Sequence, residues 1–207
     1  SVHQLSQAIL AGDLDAGIAA GAEDMFSVPM GGFNPIFHPD LYEKEFYIGM
    51  GETAELLAEE LDISREDQES FSVESHQKAL TAISGGKFDN EIIPIDNMGV
   101  EISQDDGPRE PDFEKIQSLN PAFVENGTIT AATSSPISIG AAALLVLSES
   151  KAEDLNCERK FRIIARAVAG VDWKTMGSGP LPATEKVLRK CNMKMDDINA
   201  IELNEAF

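Results

Sequence analysis

The stretch GTITAATSSPISIGAAALLVLSES, residues 127–150, decides how this chain folds. Its second half, AAALLVLS, is an unbroken apolar run of strand length, the pattern of a strand buried on both faces. Its first half mixes Gly, Thr, Ala and Ser without a helical or strand period and reads as a loop of small residues. Upstream, DAGIAAGAEDM (15–25) is a second buried strand that runs into a small-residue turn. It follows SVHQLSQAILAG (1–12), a helix with Leu5, Ala8 and Ile9 on one face and Gly12 as its stop. Downstream, KFRIIARAVAG (160–170) and INAIEL (198–203) read as further strands. Between them MGSGPLPATEKVLRKCN (176–192) is a glycine-proline turn and a helix with Pro182 in its first turn, where a missing N–H is harmless. Strand, helix and strand in that order form a right-handed crossover, so the class is α/β.

The segment between the first two strands has a different texture. Residues 26–47, FSVPMGGFNPIFHPDLYEKEFY, are rich in Pro, Gly and aromatics and read as a loop with packing of its own. MGETAELLAEELD (50–62) places Ala54, Leu57, Ala58 and Leu61 on one helical face. SREDQESFSVESHQKALTAISGG (64–86) opens with Ser64 and Asp67 as a capping box and closes on Gly85 and Gly86. Its expected buried stripe is Phe71, Ser75, Ala79, Ala82 and Ile83. KFDNEIIPI (87–95) reads as a short strand, and residues 96–120 as polar, turn-rich chain with no long period. No tandem repeat of solenoid period is visible.

Composition excludes several classes. The 207 residues are 43% hydrophobic, with 16 Lys and Arg against 36 Asp and Glu. Residues 1–120 hold 6 of the basic and 25 of the acidic side chains, a net of −19. That field repels phosphate backbones and argues against nucleic-acid binding; a solubility feature is the simpler reading. No apolar run approaches the roughly 20 residues of a membrane span. No secretory signal is visible, and residue 1 falls within a helix already in progress rather than at a natural start. Cys157 and Cys191 lack a C-x-x-C spacing or a histidine at metal distance, so they read as free thiols in a reducing compartment. The three histidines are scattered, which argues against a zinc site.

In an α/β sheet, functional groups gather at the carboxyl ends of strands. Three such ends follow: Glu23-Asp24, the Gly177-Ser178-Gly179 turn, and Asn204-Glu205. Glu23-Asp24 reads as a surface turn or helix start, and the glycine turn lacks the longer loop and Lys-Ser or Lys-Thr of a phosphate cradle. Asn204 is the exception. A neutral amide at a strand end can hold a water or a carbonyl oxygen along a defined direction, the role of an oxyanion-hole group; a turn-forming Asn is the alternative.

Taken together, IAAGAEDMFSVPMGGFNP (18–35), MGETAE (50–55), GTITAATSSPISIGAAALLVLSE (127–149), MGSGPLPAT (176–184) and NEAF (204–207) resemble the thiolases. These are acyltransferases that cleave a 3-ketoacyl-CoA with CoA, or run the condensation in reverse. The resemblance runs in order over nearly the whole chain. The loop before Met50 is closer to the degradative 3-ketoacyl-CoA thiolases of fatty acid β-oxidation and lipid metabolism. The acetoacetyl-CoA-forming type has a histidine where Gly49 stands. A ketoacyl synthase relative fits less well, because NEAF and MGETAE are thiolase features.

The resemblance implies a layered α-β-α thiolase fold with a mixed sheet. Residues 1–25 and 137–156 would belong to an incomplete first half. Residues 26–136 would be an inserted, α-rich loop domain that holds CoA, and 157–207 the start of a truncated second half. Carried over position by position, Met50, Phe123, Ser134 and Ser135 line the pantetheine tunnel, Asn204 holds an oxyanion-hole water, and Ala206 flanks the thioester. Ordinary core packing fits Met50 and Phe123 as well. CoA is a substrate, no metal or other cofactor is implied, and the intact protein would be a homodimer or tetramer. Its place would be the cytoplasm, or mitochondria or peroxisomes in a eukaryote.

Departures from the family pattern are informative. The nucleophilic cysteine would fall about half a dozen residues before Ser1. The Gly-His-Pro histidine and the second cysteine would both follow NEAF. Thiolysis needs a low-pKa thiolate and a second base, and Cys157 and Cys191 stand in neither context. The expectation is therefore an internal segment of a thiolase, inactive alone. The alternative is a non-catalytic thiolase-like protein that binds acyl-CoA or a partner. Ile139 replaces the usual Asp before Gly-Ala-Ala, and Ala22 the usual Gly before Glu23. Charge complementarity to the CoA phosphates would come from among Arg65, Lys78, Lys87, Arg109 and Lys115.

Overall fold

The computed structural model describes residues 1–29, 31–158 and 160–207. Met30, inside the VPMGGFNP motif, lies outside them. The chain forms two compact units: residues 1–44, 137–171 and 178–202, and residues 45–136, 172–177 and 203–207.

The first unit is built on the two strands expected from the apolar runs, and it also holds the short helix α2 (Pro39–Glu43), within the stretch expected to be a loop. β1 (Ala16–Asp24) and β4 (Ile139–Leu147) pair antiparallel, with Ala16 opposite Leu147 and Asp24 opposite Ile139. Helix α1 (Val2–Ala11) ends at Gly12, whose φ of 82° lets its N–H reach the Ile9 carbonyl while Asp13 reaches Ala8. Leu5 of α1 lies over Gly17 of β1, where a Cβ would come within 2.6 Å of a leucine methyl. Burial is the difference from expectation. Val146 is buried, but Leu144, Leu145 and Ile18 are 62%, 59% and 70% exposed. One neighbouring strand and one end of α1 cover too little of β4 to bury both its faces.

Helix α6 (Glu149–Asp154) follows β4 and is capped by Ser148, and α7 (Pro180–Cys191) begins on a proline and stops at Asn192, which adopts the left-handed conformation. The two runs expected as strands on either side of α7 form no ladder among the described residues. Two carbonyls of the first run are taken instead by lysines of α7: Lys186 Nζ donates to Val168 O at 3.0 Å and Lys190 Nζ to Arg166 O at 2.7 Å. A strand exists by virtue of its partner, and neither run has one here.

The second unit is helical. α3 (Met50–Glu60) starts at Gly49, whose N–H donates to Glu52. α4 (Arg65–Ser84) carries the expected capping box: Ser64 Oγ accepts from the Asp67 N–H at 3.1 Å, and Asp67 accepts from the Ser64 N–H. Val73 is the buried residue of α4, whereas Phe71 faces a cavity and is 59% exposed. The strand expected at 87–95 is displaced. Gly86, at φ 65°, and a turn at 88–92 take up its first part. A hairpin then forms from β2 (Ile95–Asn97) and β3 (Val100–Ile102), in the stretch expected to be irregular. Met98 and Gly99 both have positive φ, the geometry of a tight type I′ connection, and Asp96 accepts from the Gly99 N–H at 2.7 Å. Helix α5 (Phe113–Gln117) is capped by Asp112. Trp173 packs on Phe46, and the Lys174 ammonium pairs with Glu45, tying residues 172–177 to this unit.

Candidate functional site

The site is built on the loop 127–136, and the loop is fixed by one carboxylate. Glu55 on α3 accepts from the N–H of Thr128 through both oxygens at 2.9 Å. It also accepts from the Thr128 hydroxyl at 2.9 Å and from the Ile129 N–H at 2.8 Å. Gly127 is small because of this contact: a Cβ there would lie 2.3 Å from Glu55 Oε1. Ile129 and Thr130 are buried, at 3% and 0% exposure, and the turn closes with Thr133 Oγ1 against the Thr130 backbone. On the α4 side, Ser72 Oγ donates to Ala132 O, and the Gln68 amide donates to Thr128 Oγ1 at 2.9 Å.

The loop in turn clamps the terminal segment of the chain. The Ser135 N–H donates to Ala206 O at 3.0 Å, and Ser135 Oγ donates to Glu205 O at 2.8 Å. Glu205 is held from the other side by Ser75 Oγ of α4 at 2.6 Å. Phe207 meets Phe123 edge to face, with ring centroids 5.3 Å apart. Under that pair lies Gly51, where a Cβ would come within 2.2 Å of the Phe123 ring. A cavity of about 480 Å³ lies between α3, α4, this loop and residues 205–207, in the size range of small-molecule sites.

Ser134 and Ser135 line the cavity. Ser134 Oγ donates to Thr130 O at 2.8 Å. Phe123 reaches its edge through Phe207. Met50 is the first residue of α3, beside Gly51, and is 52% exposed. Ala206 is half-buried, with its carbonyl held by Ser135. Asn204 is exposed, and its amide makes no hydrogen bond among the described residues. It remains available to a water or ligand oxygen, on a segment anchored one and two residues further on.

Other sequence candidates find ordinary roles. Asp24 forms a turn. Its carboxylate accepts from the Ser27 hydroxyl and from the N–H groups of Phe26 and Ser27, and these bonds, the Ser27 hydroxyl first, hold its pKa below the usual value. The Glu45 carboxyl is likewise lowered by its hydrogen bond and charge contact with Lys174. Arg65, a candidate for phosphate contact, is committed internally. Its Nη2 donates to the carbonyls of Leu119, Gln117 and Ile116 at 2.7, 3.2 and 3.4 Å, and its Nε pairs with Glu69. Lys78 pairs with Glu74 on the exposed face of α4. Ile139 and Ala22, the departures from the family pattern, both sit in the ladder, opposite Asp24 and Ala141. Among the described residues no group of His, Cys, Asp and Glu is placed to hold a metal, and no helix is long and apolar enough to cross a membrane. Glu55, Ser72, Ser75 and Gln68 are the site residues that sequence reasoning did not pick out; their partners lie 60 to 130 residues away.

An α/β segment and a helical unit that pins an NEAF terminus define a part of the thiolase fold, and the chain belongs to the thiolase family. The thiolase N-terminal domain matches residues 1–150 and the thiolase C-terminal domain residues 158–207. The 3-ketoacyl-CoA thiolase of Bacillus subtilis is 38% identical, aligned with all of this chain and 57% of its own length. That of Idiomarina loihiensis is 42% identical, with 100% and 56% covered. Among solved structures, the dimeric peroxisomal thiolase of Saccharomyces cerevisiae superposes with a TM-score of 0.91 at 36% identity, covering 100% of this chain and 55% of that one. Human mitochondrial 3-ketoacyl-CoA thiolase gives 0.86 at 28% identity, covering 100% and 57%. The chain thus spans little more than half the length of the relatives it matches.

Proposed function

We propose that this chain supplies the CoA-facing and oxyanion-hole part of a degradative-type thiolase, an acetyl-CoA C-acyltransferase acting on 3-ketoacyl-CoA. The observation that carries this reading is the Ser135 clamp. It brings the small-residue loop and the NEAF segment together by two hydrogen bonds and leaves the Asn204 amide without a hydrogen bond among the described residues. Asn204 would orient a water toward the thioester oxygen, stabilising the charge that develops there. Met50, Phe123, Ser134 and Ser135 would line the pantetheine path, with Ala206 beside the thioester. CoA enters as substrate, and the chemistry calls for no metal. Residues 26–136 would form the CoA-holding insertion, residues 1–25 and 137–156 the first half, and 157–207 the start of the second. The match to curated 3-ketoacyl-CoA thiolases over the full chain supports the substrate class. The dimeric relative supports a homo-oligomer for the whole protein, and the absence of paired cysteines supports a reducing compartment such as the cytoplasm, mitochondrion or peroxisome.

A second reading, binding without catalysis, is favoured by the two cysteines. Cys157 follows α6 and Cys191 ends α7, and neither belongs to the unit that carries Asn204. Calorimetry of the 207-residue chain with CoA, beside a thiolysis assay with acetoacetyl-CoA, tests both. Micromolar CoA binding without turnover is the expected result. Turnover by this chain would overturn the assignment of the reactive thiols elsewhere, and no CoA binding would overturn the site.

A further inference from the structure

We infer that Ser75 of α4 is a positioning residue for the Asn204 amide, acting through Glu205. This rests on the role proposed for Asn204, and deepens it by naming what aims the amide. The cavity wall carries the first observation. Glu205 and Phe207 belong to that wall, and Asn204 and Ala206 do not. Alternate residues on opposite sides are the side-chain period of an extended chain. Residues 204–207 thus turn Glu205 and Phe207 inward, against Ser75 and Phe123. Asn204 and Ala206 share the opposite face. The residue proposed to hold the water and the one proposed to flank the thioester therefore lie side by side, with the cavity behind them.

The direction of Asn204 is then set by whatever holds Glu205, and α4 does so as the last contact of a polar stripe. Gln68, Ser72 and Ser75 follow one another at four and three residues, the spacing of one helix face. Each donates from it: Gln68 to Thr128 Oγ1, Ser72 to Ala132 O, and Ser75 to Glu205 Oε2 at 2.6 Å. One rail thus fixes the start of the loop, its middle and the terminal segment. The Thr128 hydroxyl gives its single proton to Glu55, so Gln68 must present its NH2 there. Its Oε1 is left buried, with no partner among the described residues. The other titratable groups of the wall face elsewhere. Asp67 closes the Ser64 cap, and His76 Nδ1 accepts from the Arg109 N–H at 3.4 Å, which puts the ring proton on Nε2. Among the described residues no Lys or Arg lines the wall to compete for Glu205. Freed from Ser75, the carboxylate would turn to the amide protons of the adjacent Asn204. A charged acceptor is the stronger partner, and it would take the amide from the water it is proposed to orient.

The test begins with NMR of the 15N-labelled 207-residue chain, following the Asn204 side-chain NH2 pair, identified by its loss in Asn204→Ala. Ser75→Ala should shift or broaden that pair, and Ser75→Thr, which keeps the hydroxyl, should restore it. The Thr128 and Ile129 backbone signals, held by Glu55, should stay in place in both variants. His76→Ala, which removes the other ring donor of the wall, should leave the Asn204 pair where it is. Calorimetry then compares acetyl-CoA with S-ethyl-CoA, the thioether that lacks the carbonyl oxygen. One hydrogen bond to that oxygen favours acetyl-CoA by about two- to tenfold. The ratio should fall toward one in Ser75→Ala and recover in Ser75→Thr, whereas a general loosening weakens both ligands alike and leaves it unchanged. An unmoved Asn204 pair in Ser75→Ala overturns the inference. So does a pair that moves as far in His76→Ala, because the ring would then hold Glu205. Thr128 and Ile129 signals that move as far as the Asn204 pair also overturn it, because Ser75 would then serve the fold alone. Failure of both CoA compounds to bind overturns the proposed function instead, while the NMR result still decides whether Ser75 aims the amide.

Discussion

Glu55 and Gly127 should behave as one energetic unit. The carboxylate accepts from two backbone N–H groups and one hydroxyl, all in the half-buried start of the loop 127–136. Truncation to alanine leaves those three donors without a protein partner, at about 1–3 kcal/mol for each buried group that water does not reach. Partial access of water brings the expected cost of Glu55→Ala to roughly 3–4 kcal/mol, or a fall of about 8–12 °C in melting temperature for a chain of this size. Gly127→Ala puts a Cβ 2.3 Å from Glu55 Oε1 and 3.0 Å from Val124 O. A free glutamate would swing aside, but this one is pinned, so the alanine displaces the same hydrogen bonds at a cost of about 2 kcal/mol. Removing the carboxylate removes most of that clash. The double variant should therefore be less destabilised than the sum of the singles by about 1.5 kcal/mol. The assay is denaturant unfolding followed by fluorescence of Trp173, the single tryptophan, which packs on Phe46 in the same unit. Additivity of the two substitutions within about 0.5 kcal/mol would refute the reasoning, because sites that share a partner must couple.

Gly51→Ala should destabilise this unit by about 1–3 kcal/mol, because a Cβ 2.2 Å from the Phe123 ring forces that ring off Phe207; the same unfolding assay measures it, and a neutral outcome contradicts the packing. Arg65→Lys should loosen residues 113–119 and expose them to proteolysis, since one ammonium cannot hold Glu69 and the carbonyls of Ile116, Gln117 and Leu119 at once, as Nε and Nη2 do; unchanged protection refutes it. Asp24 has a folded pKa lowered chiefly by the Ser27 hydroxyl. Its contribution to stability is therefore fully present above the unfolded value near 3.8 and is lost as pH falls through the lower, folded value. The difference between wild type and Asp24→Asn should hold steady above about pH 5 and shrink below 4, and a difference that grows with acidification refutes the sign.

What could be read from the sequence divides along a physical line. α1, α4 and α7 were legible because helices carry their signals locally, as caps and periodic faces within ten or twenty residues. The β1 and β4 positions were legible because two small, apolar runs have no other use. The runs at 160–170 and 198–203 also carry strand-prone apolar residues, yet composition gives a strand only its propensity; the ladder needs a partner strand. The β2–β3 hairpin was missed for the opposite reason. Its turn is Met98-Gly99, and methionine at positive φ is a conformation that composition does not advertise.

The site follows the same logic one level up. Ser134, Ser135 and the NEAF segment could be named in advance because each belongs to a recognisable motif, but what joins them could not. Glu55 sits beside the apolar stripe of its helix, and nothing in its motif MGETAE distinguishes it from Glu52. It becomes decisive only because Thr128, 73 positions later, returns to it. Glu205, named only as the neighbour of Asn204 at the same strand end, is the residue held twice: its side chain by Ser75, its carbonyl by Ser135. If Asn204 orients a water, it must do so from a backbone that does not drift, and those two contacts fix the backbone next to it. Among the described residues the Asn204 amide makes no bond of its own, and under the proposed role it is the anchoring of its neighbour from both sides that would let it order a water.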